Sequence, residues 1–400
     1  MIVDLFNELQ MPQPWIDDHE RAVYRNALEQ ARLADELGYG CWWSVEHHCT
    51  PEFSYSGAPE LMNTAIAQHT ERIRIGHAGV LTPFKINHPL RVAERAAVLD
   101  HLSDGRVELG LARSGGAEWA TFGIDPDATL AELEEAARLC VAAWTEPELS
   151  WKSERLDIPT RTVVPKPVQQ PHPRLWQTVT SPSSFRMAGE LGMGILCTTL
   201  LSPVTLLETL SKEYEAGLAA CTNPVGKRVN DERAVFTFVF CTETIDDAIK
   251  SRAAEAALWY VNAAPKVFSV PRTVWTNLIR GNVNMDSAKR SQGAVSADRV
   301  NVDLDPDDEN PIIRLMNRQV LGYEIDPVEA YEAIEDQDSV IIGDPDTCLR
   351  KVQRYEQAGF GRLMALMQFG HLRSDDVLGS IRRVGEALIP VLAHSEETPS

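Results

Sequence analysis

Cys41-Trp42-Trp43-Ser44-Val45-Glu46-His47-His48 is an apolar run that stops abruptly on an acid and two imidazoles. A short apolar run bounded this way reads as a buried parallel strand. In barrel folds, chemistry sits where such strands end. The same alternation spreads outward from this stretch. Apolar, strand-like runs fall at 2–6, 73–80, 106–112, 174–179, 194–197, 234–241 and 362–367. Helix-spaced segments fall between them at 20–37, 59–69, 89–102, 129–145, 183–191, 203–220, 244–260, 311–336 and 345–358, with a closing helix at 374–392. Gly38 reads as a helix C-cap, and Pro89 stands where a first helical turn tolerates proline. Eight strands, each followed by at least one helix, spell a (β/α)8 TIM barrel. A doubly wound sheet is the alternative, and the strand count favours closure.

Two stretches break the rhythm. Residues 151–173 are polar and proline-rich and read as an excursion with a small hairpin. Residues 261–310 hold Gly281, Gly293 and an acidic run from Asp303 to Glu309. Loops this long are usually functional or disordered, so this one reads as an insertion or mobile lid after strand seven, with a roleless insert as the bland alternative. The expected organisation is one barrel domain over 1–395 and a disordered tail at 396–400.

The chain has 400 residues, 44% hydrophobic and 24% charged, which is ordinary for a soluble protein with a large core. It carries 38 basic and 58 acidic residues, a net charge of -20. Such a surface repels nucleic acid and anionic membrane, so neither is an expected partner. The seven cysteines form no CxxC pair and read as reduced core thiols of a cytoplasmic protein. No basic n-region follows Met1, so no secretory signal is expected, and no apolar run approaches the ~20 residues of a membrane helix.

The barrel reading places Glu46, His47 and His48 on the catalytic rim. A zinc pair or two surface histidines are the bland alternatives. Arg113, at the end of the fourth strand, offers a planar cation suited to phosphate or carboxylate, and Gly115 and Gly116 beside it permit close backbone approach. A rim salt bridge is its bland alternative. Thr180-Ser181-Pro182-Ser183-Ser184 precedes a helix, and hydroxyls with free amides at a helix start make an anion site. Ordinary N-capping is the competing reading. There is no G-x-G-x-x-G after a strand, no P-loop, no H-E-x-x-H and no G-x-S-x-G. Adjacent His47 and His48 point to opposite sides of an extended chain, so no metal site is expected.

Taken in order, Ser44-Val45-Glu46-His47-His48, Thr70-Glu71-Arg72-Ile73-Arg74-Ile75-Gly76, His88-Pro89-Leu90-Arg91-Val92-Ala93-Glu94, Leu99-Asp100-His101-Leu102-Ser103-Asp104-Gly105-Arg106 and Val163-Val164-Pro165-Lys166-Pro167-Val168-Gln169 resemble the bacterial-luciferase-like flavin monooxygenases. The resemblance covers most of the chain and implies a TIM barrel that takes reduced FMN. Arg113 matches the family's phosphate arginine, and Ser181 and Ser184 match its phosphate hydroxyls. Thr180 stands where luciferase carries an acid. Ala78 and Gly79 match a small pair beside the flavin ring, joined in luciferase by a non-prolyl cis peptide. His47 matches the catalytic histidine. Ala112 stands where luciferase has a reactive cysteine, so no thiol role is implied.

The resemblance further implies oxygenation of a small apolar organic substrate through a C4a-(hydro)peroxyflavin, with water kept out by a closing lid. His47 would act as general acid/base, and Glu46 would orient an imidazole. Trp42 or Trp43, Trp119 and Phe6 are candidate walls for ring and substrate, with core packing as their alternative. With no nicotinamide loop, FMN is expected to be reduced by a separate flavin reductase. A homodimer is expected by resemblance. The competing readings are an F420-dependent dehydrogenase of the same superfamily and a non-catalytic flavin-binding relative.

Overall fold

The computed structural model describes residues 1–268, 271–281 and 304–394. Its strands are β1 (Ile2–Asn7), β2 (Cys41–Ser44), β3 (Arg74–Leu81), β4 (Val107–Ala112), β5 (Leu149–Lys152), β6 (Asp157–Arg161), β7 (Arg174–Thr178), β8 (Gly194–Thr198), β9 (Arg233–Cys241), β10 (Val340–Gly343) and β11 (Arg362–Leu366). Eight of them pair in parallel in the order β11-β1-β2-β3-β4-β7-β8-β9, and β9 pairs back onto β11. The sheet is therefore a closed (β/α)8 barrel. β5 and β6 form the small antiparallel hairpin expected in the proline-rich excursion.

The helices between strands are α1 (His19–Glu36), α2 (Pro59–His69), α3 (Pro89–Leu102), α4 (Gly116–Phe122), α5 (Thr129–Thr145), α6 (Pro182–Glu190) and α7 (Thr205–Ala220). Then come α8 (Ile245–Lys250), α9 (Ala253–Phe268), α10 (Arg272–Ile279), α11 (Pro311–Val320), α12 (Pro327–Glu335), α13 (Pro345–Gln357), α14 (Ser374–Arg383) and, after one π-helical turn, α15 (Ile389–His394). Local chemistry sets the boundaries. Gly38 takes φ 83° after α1, a left-handed conformation open to glycine at no steric cost. His88 caps α3, its ring accepting from the Leu90 amide at 3.2 Å, and Pro89 opens the first turn.

Three elements differ from the sequence reading. The segment expected as one helix at 244–260 is α8 and α9, separated at Arg252, whose φ of 60° interrupts the helical backbone. The Arg252 side chain holds the break by donating to the Ile325 carbonyl at 3.0 Å and to Glu255 at 2.7 Å. β10 was not expected. Val340–Gly343 pairs with Phe238–Cys241 of β9, of which Val239–Cys241 runs on past the β11 register. Residues 261–268 continue α9, so the expected lid segment begins inside a helix. Its residues 282–303, and the expected tail at 396–400, lie outside the described residues.

Polar clusters fill the lower barrel. Asp4, fully buried, accepts from Arg362 at 2.7 and 2.9 Å and from the Trp43 indole at 2.9 Å. Glu108, also fully buried, accepts from Arg174 and Arg74 and from the Trp176 indole at 2.8 Å. Trp43 and Trp176 meet edge to face at 5.5 Å. A Cβ at Gly76 would run into the Trp43 ring, which is why that position on β3 carries none. The floor of the barrel is thus filled by packed side chains.

Candidate active site

A cavity of about 300 Å³ opens toward the strand C-termini. Its wall brings together His47, Glu46, Ala78, Gly79, Arg113, Thr180, Ser181 and Ser184. They come from the ends of β2, β3, β4 and β7, which the barrel sets side by side.

The anion side is built by β4 and β7. Arg113 donates Nε to Thr129 Oγ1 at 2.9 Å and Nη2 to the Pro126 carbonyl at 3.4 Å, and its guanidinium lies 5.9 Å from the Trp119 ring centre. Among the described residues no carboxylate pairs with it, so the rim salt bridge does not form. Burial without a counter-charge pushes its pKa down. On α6, Ser181 and Ser184 form a reciprocal capping box. Ser181 Oγ accepts from the Ser184 amide at 3.4 Å, and Ser184 Oγ accepts from the amides of Thr180 and Ser181 at 3.1 and 2.9 Å. Capping is therefore present, and both serines also line the cavity. Thr198 Oγ1 and Trp275 Nε1, also in the wall, are buried without a hydrogen-bond partner. An unpaired cation, a helix start and two orphaned polar groups around one void suit an anionic, polar-ringed ligand. At the end of β3 the Ala78–Gly79 peptide is cis. A Cβ at Gly79 would come within 2.7 Å of the Gly110 carbonyl, so only glycine lets the two strands meet there.

The two histidines part company. His47 Nδ1 lies 3.2 Å from Glu118 Oε1, while His48 Nε2 lies 3.1 Å from Glu46 Oε1. Glu46 thus engages the second imidazole of the pair, not the first. It also accepts from the Leu81 amide at 2.8 Å and from Asn87 Nδ2 at 2.8 Å, tying the exit of β2 to the end of β3. Burial acts to lower the His47 pKa, but the hydrogen bond and charge of Glu118, with Glu8 and Glu46 behind it, outweigh that and leave it raised. Burial acts to raise Glu118, and its bonds from His47, Ser114 and the His48 amide leave it lowered. Both directions favour a charged pair. With Nδ1 taken by Glu118, Nε2 is the ring nitrogen left to serve a ligand. The ring is fixed edge-on between Phe53 at 5.9 Å and Phe268 at 5.8 Å.

The expected tryptophan walls are a correction. Trp42, Trp43 and Trp119 do not line the cavity; Trp42 donates to Ser44 at 2.8 Å, Trp43 to Asp4, and Trp119 to the Arg113 carbonyl at 3.0 Å. Burial and indole hydrogen bonding direct these rings into packing. Phe6 does line it, joined by Phe236, Tyr260, Phe268 and Trp275. Glu118, Glu8, Tyr260 and Trp275 were not singled out from sequence. Glu8 had a signal, an acid just past a strand that resembles Glu46 in placement, whereas Glu118 lies within α4.

The chain matches the luciferase-like monooxygenase family over residues 9–362. It belongs to that family. It is 29% identical over 184 residues to the oxygenase component of a flavin-dependent trigonelline monooxygenase from Acinetobacter baylyi, a match covering 45% of this chain and 50% of that protein. Matches to curated relatives of this kind span about half the length of those relatives. Over the whole fold, it superposes on the FMN-bound oxygenating constituent of 3,6-diketocamphane monooxygenase from Pseudomonas putida. The TM-score is 0.71 at 18% identity, covering 98% of each chain. An F420-dependent secondary alcohol dehydrogenase shares the barrel as well, with a TM-score of 0.65 at 15% identity and 98% coverage of each chain.

Proposed function

We propose that this luciferase-like protein is the oxygenase of a two-component flavin monooxygenase, taking reduced FMN from a separate reductase and oxygenating a small organic substrate with O2. The observation that carries this reading is the unpaired Arg113 beside the α6 start, in the same cavity as the His47–Glu118 pair. Arg113 and the Ser181 and Ser184 hydroxyls would hold the phosphate, with Thr180 at the same helix start. Ala78 and Gly79 would flank the ring. Reduced FMN, when bound, would supply the two electrons that activate O2.

The chain's own groups then have distinct tasks. Glu118 fixes the His47 ring and favours its protonated form, so Nε2 holds a proton at the cavity and can pass it to a developing oxyanion or take one back. Glu46 sets the β2 and β3 ends against each other and orients His48. Phe268, Val274, Trp275 and Leu278, from α9 and α10, cover the mouth and exclude water. Residues 261–268, 271–281 and 304–310 are the described portion of the lid we assign to 261–310. A homodimer in the cytoplasm completes the reading, and no helix among the described residues is long and apolar enough to cross a membrane.

The test is to saturate the protein with reduced FMN, mix it with oxygenated buffer, and follow flavin reoxidation with and without candidate substrates. Reoxidation markedly slower than for free reduced FMN supports the reading. Reoxidation at the free rate, with tight binding of F420, would transfer the chain to the hydride-transfer reading that the F420-dependent neighbour suggests. Binding of either cofactor without turnover would point to a non-catalytic relative.

A further inference from the structure

Glu8 is a buried carboxylate that the oxygenation reading leaves without a task. It follows β1 directly and lines the cavity, yet is only 3% exposed. Tyr260 Oη donates to its Oε1 at 2.9 Å, and Gln10 Nε2 donates to its Oε2 at 3.0 Å. Gln10 is fixed in turn, its own oxygen accepting from the Gly370 amide at 2.9 Å. Each Glu8 oxygen has accepted one hydrogen bond and retains a further lone pair. Among the described residues no Lys or Arg pairs with it.

The barrel order places this group. The anion cradle lies at the junction of β4 and β7. Counting around the closed sheet, the opposite junction is that of β11 and β1, where Glu8 emerges. A cofactor held by its phosphate at one side leaves the other side for substrate. That side is walled by aromatic rings: Phe6 meets Phe236 at 4.3 Å, and Phe236 meets Tyr260 at 6.2 Å. Flat apolar walls with one buried acceptor make a selective site, because a ligand lacking the matching donor leaves that acceptor desolvated and unpaired.

We propose that Glu8, braced by Tyr260 and Gln10, is the specificity-determining anchor of the substrate half of the cavity, and that the substrate is a compact ring compound bearing a hydroxyl or N–H donor directed at it. The inference rests on the flavin occupying the Arg113 side. It narrows the substrate from any small apolar molecule to one with a donor at one edge.

Indole and benzofuran are near-isosteric probes that differ in one atom at the ring edge, N–H against O. Calorimetric titration of each into the protein, with and without saturating oxidised FMN, tests the proposal, and FMN binding itself reports separately on the cofactor assignment. At pH 8.5, where Glu8 is ionised, indole is expected to bind about 10-fold or more tightly than benzofuran, in line with the ~1.5–3 kcal/mol of a hydrogen bond to a charged group. In Glu8→Leu the preference should vanish, with benzofuran affinity held or improved. Glu8→Gln keeps a neutral acceptor and should weaken indole several-fold while sparing benzofuran. Equal affinities in the unaltered protein, no indole binding to protein that binds FMN, or a preference that survives Glu8→Leu would each overturn the assignment. Should Glu8→Leu not fold, an unchanged indole affinity in Glu8→Gln overturns it instead.

Discussion

Replacing Glu8 by Gln should stabilise the protein, and should do so only where Glu8 is ionised. Burial raises the Glu8 carboxyl from its ordinary 4.5 to about 7, against the opposing pull of His47, Tyr260 and Gln10. A folded-state value above the unfolded one means that the folded state holds the proton more tightly. The stability this group contributes is fully present below about pH 4.5 and is lost as pH rises through about 7. At ~1.36 kcal/mol per pH unit, the whole loss is about 3 kcal/mol, of which about 2 to 3 kcal/mol falls between pH 5 and pH 8. Glu8 is almost entirely enclosed, so solvent screening removes little of this. The substituted amide would carry no charge and escape the loss. Its oxygen would still accept from Tyr260, but its NH2 group would meet the Gln10 amide donor-to-donor, an offset of about 1 kcal/mol independent of pH. Urea unfolding of both proteins at pH 5 and pH 8 measures the difference. The stability of Glu8→Gln relative to the unaltered protein should rise by about 2 kcal/mol or more across that interval. A constant difference at the two pH values would refute the reasoning, because Glu8 would then titrate alike in both states.

Other expectations follow from the same geometry. Arg113→Ala should weaken FMN binding by about 10- to 100-fold, the worth of a charge-assisted phosphate contact, read by quenching of flavin fluorescence; an unchanged affinity would remove Arg113 from the cradle. His47→Ala should bind FMN normally and lose oxygenation, so full product yield in that variant would dismiss the acid/base role. Glu118→Gln removes the partner that overcomes burial at His47, so the His47 titration followed by NMR should move down, and the stability His47 contributes below its ordinary 6.5 should shrink. A His47 titration at the same pH in both proteins would show that Glu118 does not set it. Asp4→Asn removes the close partner of the buried Arg362, leaving it the longer contact to Glu232 at 3.4 Å, and should cost about 3 kcal/mol in denaturant unfolding, with a loss under 1 kcal/mol counting against the buried pair.

The barrel was legible because its strands announce themselves twice, as short apolar runs and as runs that end on chemistry. Trp42 and Trp43 followed by Glu46 and His47 show both signals in eight residues. Helix boundaries at Gly38, Pro89 and Ser181 were legible for the same local reason, since helix ends are written in neighbouring residues. What stayed hidden depends on distance along the chain. His47 and Glu118 are 71 residues apart, and Glu8 and Tyr260 are 252 apart. No periodicity carries such pairings. β10 was missed because four apolar residues between two helices match a buried turn as well as a strand, until β9 supplies the partner. The tryptophans misled for a related reason: aromatic residues near a rim read equally as wall or as packing, and only the indole partners of Trp43 and Trp119 decide it.

The arrangement of acids explains how one cavity can keep two proton-carrying groups from interfering. Glu46 and Glu8 stand at strand exits and Glu118 on α4, all near His47, yet their hydrogen bonds separate them. Glu46 accepts from an amide, an asparagine and His48; Glu118 accepts from His47, Ser114 and the His48 amide. The bonds to Glu118 favour its charged form, which suits a group that holds others in place. Glu8 has two neutral donors, and burial sets its proton affinity near neutrality instead. In a double variant, Glu118→Gln with Glu8→Gln, His47 would face only Glu46 among the acids that raise its affinity for a proton. If electrostatics rather than ring position governs His47, its titration should fall further in the double variant than in Glu118→Gln alone. If the two variants titrate together, Glu8 acts on substrate only, and the proton chemistry belongs to His47 and Glu118 without it.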